Sequence, residues 1–438
     1  MASLDYTVKV GGPLQGVIRV AGDKSISHRA VILGALATGQ SVITGLLQGE
    51  DVLGTISAFR ALGVAIEGPQ DGRLVVNGVG LHGLKAPAGA LDLGNSGTSM
   101  RLLTGLLCAQ PFATQLVGDD SLMKRPMERV AVPLRLMGAV IKTGAGGRPP
   151  LQIEGGRQLH GISYTLPVAS AQVKSAILLA GLYAHGRTTV IEPAPSRDHT
   201  ERMLAGFGYP VSQDGPAISL QGGAGELKAG PLDIPADLSS AAFFLVAASI
   251  VPGSRVVLKR VGMNPTRTGV IAILRAMGAN IEVDRDTQVG GERVADLTVT
   301  ASALHGIQIP PELVPLAIDE FPAIFVAAAC AAGTTILHGA EELRVKESDR
   351  LSVMARGLKA LGVAVAEFPD GLAITGSPFT GGVIDSGGDH RIAMAFAVAG
   401  LRAAAPVRVR DCRNVATSFP GFVEMACALG FDLQVTNS

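Results

Sequence analysis

The sequence predicts an α/β protein assembled from six copies of one unit, three in each of two lobes. The first observation is an apolar-Gly-apolar triplet at Leu62-Gly63-Val64, Met137-Gly138-Ala139, Phe207-Gly208-Tyr209, Met277-Gly278-Ala279, Leu361-Gly362-Val363 and Leu429-Gly430-Phe431. The intervals between these glycines are 75, 70, 70, 84 and 68 residues, and self-similarity at a fixed period marks a repeat architecture. The second is a set of six strongly apolar segments on the same beat. The third is length: 438 residues exceed the roughly 250–300 at which single cores stop growing, so six units divide into three plus three.

Each unit opens with a helix apolar nearly all round, which places it centrally. The six read "DKSISHRAVILGALA", "NSGTSMRLLTGLLCA", "ASAQVKSAILLAGLYA", "DLSSAAFFLVAASI", "DEFPAIFVAAACAA" and "DHRIAMAFAVAGLRA", each introduced by a capping side chain, with Asp319 at the start of the fifth. A strand such as "SVITG", "TTVIE", "SRVVLK" or "TTILHG" follows, then a polar loop. An amphipathic outer helix comes next, closed by the marker glycine, and two strands complete the unit. The long fourth interval is assigned to a polar loop, "DRDTQVGGERVAD".

Composition narrows the function. Hydrophobic residues make up 47%, aromatics only 4% with no Trp, so the interior is built from Ala, Val, Leu and Ile. Thirty-seven basic residues balance 37 acidic ones, which leaves no global field for nucleic acid or anionic lipid. Cys108, Cys330, Cys412 and Cys427 have no CxxC spacing, and three lie in Ala/Leu-rich segments expected to be buried helices, as free thiols of a reducing compartment. With no basic-then-apolar leader and no apolar run of spanning length, the chain is expected to be soluble and cytoplasmic, with no membrane partner.

The helix starts carry charge that capping does not explain. Lys24, Arg29, Gln172 and Arg391 sit at or near them, and Lys124-Arg125, Arg197, Lys346 and Arg350 lie in neighbouring loops. Cations oppose the positive end of a helix dipole unless an anion lies between them. Parallel central helices would present such ends at one face of each lobe, and two faces across a cleft would draw in a small polyanion. The prevalence of Arg points to carboxylates and phosphates. No GxxxxGK[ST] or GxGxxG motif supports a nucleotide ligand. Acid–base capacity falls to Asp319, otherwise an N-cap, and to Glu347, otherwise only a partner of Arg350. His28, His199 and His390 lack ligand spacing, so no metal is expected. Ser25 and Ser170 read as phosphate donors or as caps.

Together, "GDKSISHR", "LGNSGTSMR", "KRPM", "ASAQVKSA", "PSRDHTE", "IDEFP", "LRVKESDR", "DHRIAM" and "TSFPGF" closely resemble the EPSP synthase family, through all six units. The resemblance implies a two-lobed inside-out α/β barrel of six βαβαββ repeats, three per lobe. Residues 1–21 and 236–438 would form one lobe and 22–235 the other, with the first strand returning to the C-terminal lobe. The implied reaction moves the enolpyruvyl group of phosphoenolpyruvate to the 5-hydroxyl of shikimate 3-phosphate and releases phosphate. Ser25, Arg29, Ser170, Ala171, Gln172 and Arg197 would hold shikimate 3-phosphate, together with Asp319, and Lys24 would bridge both ligands. Gly97, Arg125, Gln172, Arg350 and Arg391 would surround phosphoenolpyruvate, and Lys346 would contact substrate and developing charge. Asp319 would take the hydroxyl proton and Glu347 would protonate the methylene. The resemblance implies no cofactor, no nucleic-acid partner and a monomer.

Two departures and two rivals qualify this. Thr417 stands where many members have Lys, which with Arg197 places the chain nearer the second of the family's branches, and Gly97 stands where herbicide-tolerant relatives have Ala, so glyphosate sensitivity is expected. The sister enolpyruvyl transfer to UDP-N-acetylglucosamine usually uses a loop with a reactive Cys, absent from "SLMKRPMERV". A non-catalytic phosphate- or RNA-binding repeat protein would need a basic stripe with stacking aromatics, for which four Tyr and no Trp are poor material.

Overall fold

All six marker glycines adopt positive φ, between 85° and 110°, just past the end of an amphipathic helix. A side chain is disfavoured in that left-handed region, so glycine lets the chain turn from helix into strand. The computed structural model describes residues 4–437. These fall into two compact units: an inserted unit of Gly22–Ile234 with Val289–Gly291, and a split unit formed by 4–21, Pro235–Gln288 and 292–437.

In the inserted unit α1 (Lys24–Leu36), α2 (Glu50–Ala61), α3 (Gly97–Leu107), α4 (Glu128–Leu136), α5 (Ala171–Gly181) and α6 (His199–Gly206) follow in order. The odd-numbered helices are buried along nearly their whole length, while the even-numbered ones bury one face. Three four-stranded sheets surround them, each with one parallel edge pair and two antiparallel pairings. Leu91–Asp92 pairs in parallel with Thr114–Val117, for example, with α3 nearby in sequence as the crossover. The last strand, Pro231–Asp233, pairs in parallel with Thr38–Thr44 and so closes the unit on its first sheet.

The split unit repeats the plan with α7 (Leu238–Ile250), α8 (Gly269–Ala276), α9 (Phe321–Cys330), α10 (Arg350–Ala360), α11 (His390–Gly400) and α12 (Phe422–Leu429). Every residue of α7 is buried. Aromatics are scarce but concentrated here: Phe244 has Phe419, Phe422 and Phe431 at ring separations of 6.0, 5.9 and 6.2 Å. Two N-terminal strands complete its sheets. Gln15–Ile18 pairs in parallel with Arg255–Gly262, and Leu4–Lys9 lies antiparallel between Val407–Arg410 and Asp432–Asn437, in register Leu4 to Asn437.

Three expectations need correction. The "DRDTQVGGERVAD" stretch belongs to a long hairpin, Asn280–Val289 with Glu292–Thr300, turning at Gly290-Gly291. Both glycines have positive φ, as a two-residue type I′ turn requires. The first of these strands buries little, so no apolar alternation betrays it; charge pairs such as Arg293 to Asp286 at 2.8 Å stand in its place. Cys427 is exposed on α12, and Cys330 only half-buried, whereas Cys412, outside the apolar helices, is buried like Cys108. The fifth central helix starts at Phe321, so Asp319 precedes it and is not its cap; the capping position is Glu320. Among the described residues no helix is long and apolar enough to cross a membrane.

Candidate active site

In the inserted unit the first turns of α1, α3 and α5 lie side by side, tied by long side chains. Asp23, Ser96 and Ser170 cap them, accepting from the backbone N–H of Ile26, Ser99 and Val173. Arg29 is buried. It donates from Nε to Thr200 at 2.6 Å, from Nη1 to the Ser25 carbonyl at 2.9 Å and from Nη2 to Ser175 at 2.7 Å, so it braces Ser25 from behind. Lys24 pairs with the buried carboxylate of Asp51 on α2.

Gly97 opens α3 beside two guanidinium groups. A Cβ there would lie 2.9 Å from Arg101 Nη1 and 3.1 Å from Arg125 Nη1. Arg101 Nη1 donates to Gln172 Oε1 at 2.5 Å, and Gln172 Nε2 donates to Thr98 at 2.9 Å. Arg125 donates to Asn95 Oδ1 at 2.7 Å. Ser170, Ala171, Gln172 and Arg197 are all partly accessible, at the start of α5 and in the loop before α6. His28 stays neutral beneath them: burial lowers its pKa well below 6.5, and Lys24 and Arg29 lower it further. Its Nδ1 meets Thr55 at 2.8 Å, which in turn meets Ser99 at 2.6 Å.

In the split unit the centre is Arg350, whose side chain is 1% exposed. Nε donates to Asp389 Oδ2 at 2.8 Å, Nη2 to Glu347 Oε2 at 2.5 Å and Nη1 to Asp319 Oδ1 at 3.4 Å. Lys346 Nζ lies 3.5 Å from the same Asp319 oxygen, and Arg391 Nη1 donates to the Asp319 carbonyl at 3.1 Å. Burial alone would lower the pKa of Arg350, but the charges of Asp389, Glu347 and Asp319 outweigh it and raise it above its ordinary value. Burial would likewise raise that of Asp389; the Arg350 charge reverses this and lowers it. Asp389 also caps α11 through Arg391 N.

Thus Asp319, Lys346, Glu347, Arg350 and Arg391 form one cluster, and Lys24, Ser25, Arg29, Gly97, Arg125, Ser170, Ala171, Gln172 and Arg197 crowd the helix starts of the other unit. Sequence reasoning missed Asp51, Arg101 and Asp389. The latter two stand inside motifs quoted for other residues, and a cation at a helix start calls for a nearby carboxylate, a signal that could have found Asp51 and Asp389. Among the described residues no group of His, Cys, Asp and Glu could hold a metal ion. His390 Nε2 meets the Ser418 hydroxyl at 3.1 Å, and Thr417 is buried with its hydroxyl on the Asn414 carbonyl at 2.7 Å.

Comparison with known proteins fits this geometry. Residues 8–425 match the family described as EPSP synthase (3-phosphoshikimate 1-carboxyvinyltransferase). The chain is 62% identical to a 3-phosphoshikimate 1-carboxyvinyltransferase of Methylococcus capsulatus over 98% of each chain. It is 63% identical to that of Alkalilimnicola ehrlichii, over 98% of this chain and 96% of the relative. The solved EPSP synthase of Acinetobacter baumannii superposes with a TM-score of 0.90 at 55% identity, covering 99% of this chain and all of that one. The enolpyruvyl transferase NikO of Streptomyces tendae shares the fold, with a TM-score of 0.80 at 17% identity over both full chains. Six repeated units, two charge-lined sets of helix starts and near-full-length identity above one half have one reading: the chain belongs to the EPSP synthase family.

Proposed function

We propose that the chain transfers the enolpyruvyl group of phosphoenolpyruvate to the 5-hydroxyl of shikimate 3-phosphate, giving 5-enolpyruvylshikimate 3-phosphate and inorganic phosphate. The observation that carries the chemistry is that two carboxylates, Asp319 and Glu347, converge on the buried Arg350 with Lys346 beside one of them. Ser25, Ser170, Ala171, Gln172 and Arg197, with Arg29 behind Ser25, hold shikimate 3-phosphate. Gly97, Arg125, Gln172, Arg350 and Arg391 hold phosphoenolpyruvate, and Lys24 serves both. Because Arg350 is saturated by carboxylates, the phosphoenolpyruvate carboxylate replaces Glu347 on it. Glu347 then loses its cation, is desolvated and takes up a proton.

That proton goes to the methylene carbon of phosphoenolpyruvate, which leaves C2 electron-poor. Asp319 accepts the 5-hydroxyl proton as the C2–O bond forms, and Lys346 stabilises the developing charge. In the tetrahedral adduct the bond from C2 to the phosphate oxygen breaks. Phosphate departs, taking up the proton that Asp319 holds, and a methyl proton returns to Glu347, restoring the double bond. The protein acts as a cytoplasmic monomer on these small molecules, without nucleic acid, and glyphosate inhibits it because Gly97 has no Cβ to crowd Arg101, Arg125 and the ligand beside them.

Phosphate release on mixing the protein with both substrates tests this. Asp319→Ala and Glu347→Ala each lower kcat by about 10²-fold or more, as loss of a proton-transfer group does, and Lys24→Ala lowers kcat by removing the cation both ligands share. Turnover of UDP-N-acetylglucosamine in place of shikimate 3-phosphate, or variants of unchanged rate, would overturn the assignment.

A further inference from the structure

Lys174 lies on α5 one turn beyond Ser170, and its side chain is 1% exposed. No step of the reaction uses it. Its ammonium reaches Glu192 Oε2 at 2.8 Å and Glu201 Oε1 at 2.6 Å. Glu192 ends the run that begins with strand Arg187–Ile191, and Glu201 sits in the first turn of α6. The two carboxylates therefore stand at either end of segment 193–200, which carries Arg197. Within it the Ser196 hydroxyl donates to the other oxygen of Glu192, and Asp198 accepts from Arg202 Nε at 2.7 Å. The next residue of α5, Ser175, meets Thr200 at 2.7 Å, and both take hydrogen bonds from Arg29.

Such a triad is a poor way merely to stabilise a core. Burying an ammonium and two carboxylates costs desolvation that well-packed apolar side chains avoid. Burial pushes the Glu201 carboxyl up, with Lys174 opposing it. What the triad supplies is direction: one short-range anchor on α5 for both ends of one loop.

We propose that Lys174 is a positioning residue that clamps both ends of the Arg197 segment to α5, fixing Arg197 relative to Ser170, Ala171 and Gln172. This rests on the shikimate 3-phosphate reading above and adds the group that sets the geometry of that half of the site. Lys174→Met removes the clamp and leaves two buried carboxylates. Should it not fold, Lys174→Met/Glu192→Gln/Glu201→Gln removes all three charges and carries the test.

The expected result is a KM for shikimate 3-phosphate raised about tenfold, with the KM for phosphoenolpyruvate changed by less than about twofold, since displacing a binding group affects the ligand it orients. Amide hydrogen exchange in 193–198 quickens while α1 and α3 stay protected. An unchanged KM for shikimate 3-phosphate with unchanged exchange overturns the proposal. So does a parallel rise in both KM values with protection lost throughout, the mark of a merely structural residue. If the unsubstituted protein fails to turn over shikimate 3-phosphate, the functional reading falls, and exchange in 193–198 still decides whether Lys174 clamps the loop.

Discussion

At the scale of single residues the charges are stacked in layers, with an accessible group in front and a buried partner behind. Asp389 is such a partner. It is fully buried and takes Arg350 Nε at 2.8 Å, the Ser348 hydroxyl at 3.0 Å and Arg391 N at 2.9 Å. Removing one member of a buried pair leaves the other uncompensated, at about 3–5 kcal/mol. Arg350 keeps Glu347 and Asp319, so Asp389→Ala costs less than that, about 1–3 kcal/mol in urea unfolding for the buried donors it leaves unmet, and Asp389→Asn, which keeps the shape and one acceptor, costs less still. His28 gives a pH signature. Its folded pKa lies below its ordinary 6.5, so as pH falls the unfolded chain takes up the proton first. The folded state is unaffected above about pH 6.5 and loses up to about 1.4 kcal/mol per unit below it. His28→Asn flattens that part of the stability profile, which unfolding midpoints at pH 7.5 and 5.5 measure. Lys24, Asp319 and Arg391 were legible because charge at an apolar helix start demands a reason, and Glu347 because it lies next to Lys346. Lys174 was not, because the carboxylates it pairs with, Glu192 and Glu201, lie in other elements; Asp51 and Asp389 could have been sought as the carboxylates that a cation at a helix start calls for, but their long-range partners Lys24 and Arg350 are not adjacent in sequence.

At the scale of elements, helix packing fixes the site's dimensions. α3 and α5 touch backbone to backbone at Gly105, where a Cβ would fall 2.1 Å from the Ala176 carbonyl oxygen. Gly105→Ala must push the helices apart, costing about 1–3 kcal/mol as overpacking does. It also strains the Arg101–Gln172 link between them, so thermal unfolding shifts down and the KM for phosphoenolpyruvate rises in the same variant. The six central helices and their glycine-closed outer partners could be read directly, since burial on every side and a left-handed exit each impose a residue type. The Asn280–Thr300 hairpin could not. Its first strand is mostly exposed, so its polar sequence records solvent contact and hides the ladder of backbone hydrogen bonds.

At the scale of the whole molecule, three sheets and six helices per unit follow from the repeat count and the limit on core size. What composition could not show is that two N-terminal strands complete sheets whose other members come from after residue 235. Leu4–Lys9 leaves the ribosome long before its neighbours Val407–Arg410 and Asp432–Asn437 are made. At about 5–20 residues per second, the strand waits roughly 20–90 s for these partners while the inserted unit and most of the split unit are translated. Asp5 and Lys9 bracket its apolar stretch and discourage wrong pairings during that interval. Asp5 then becomes buried against Arg408 at 2.8 Å, so the charge that guards the nascent strand is neutralised once the strand reaches its place.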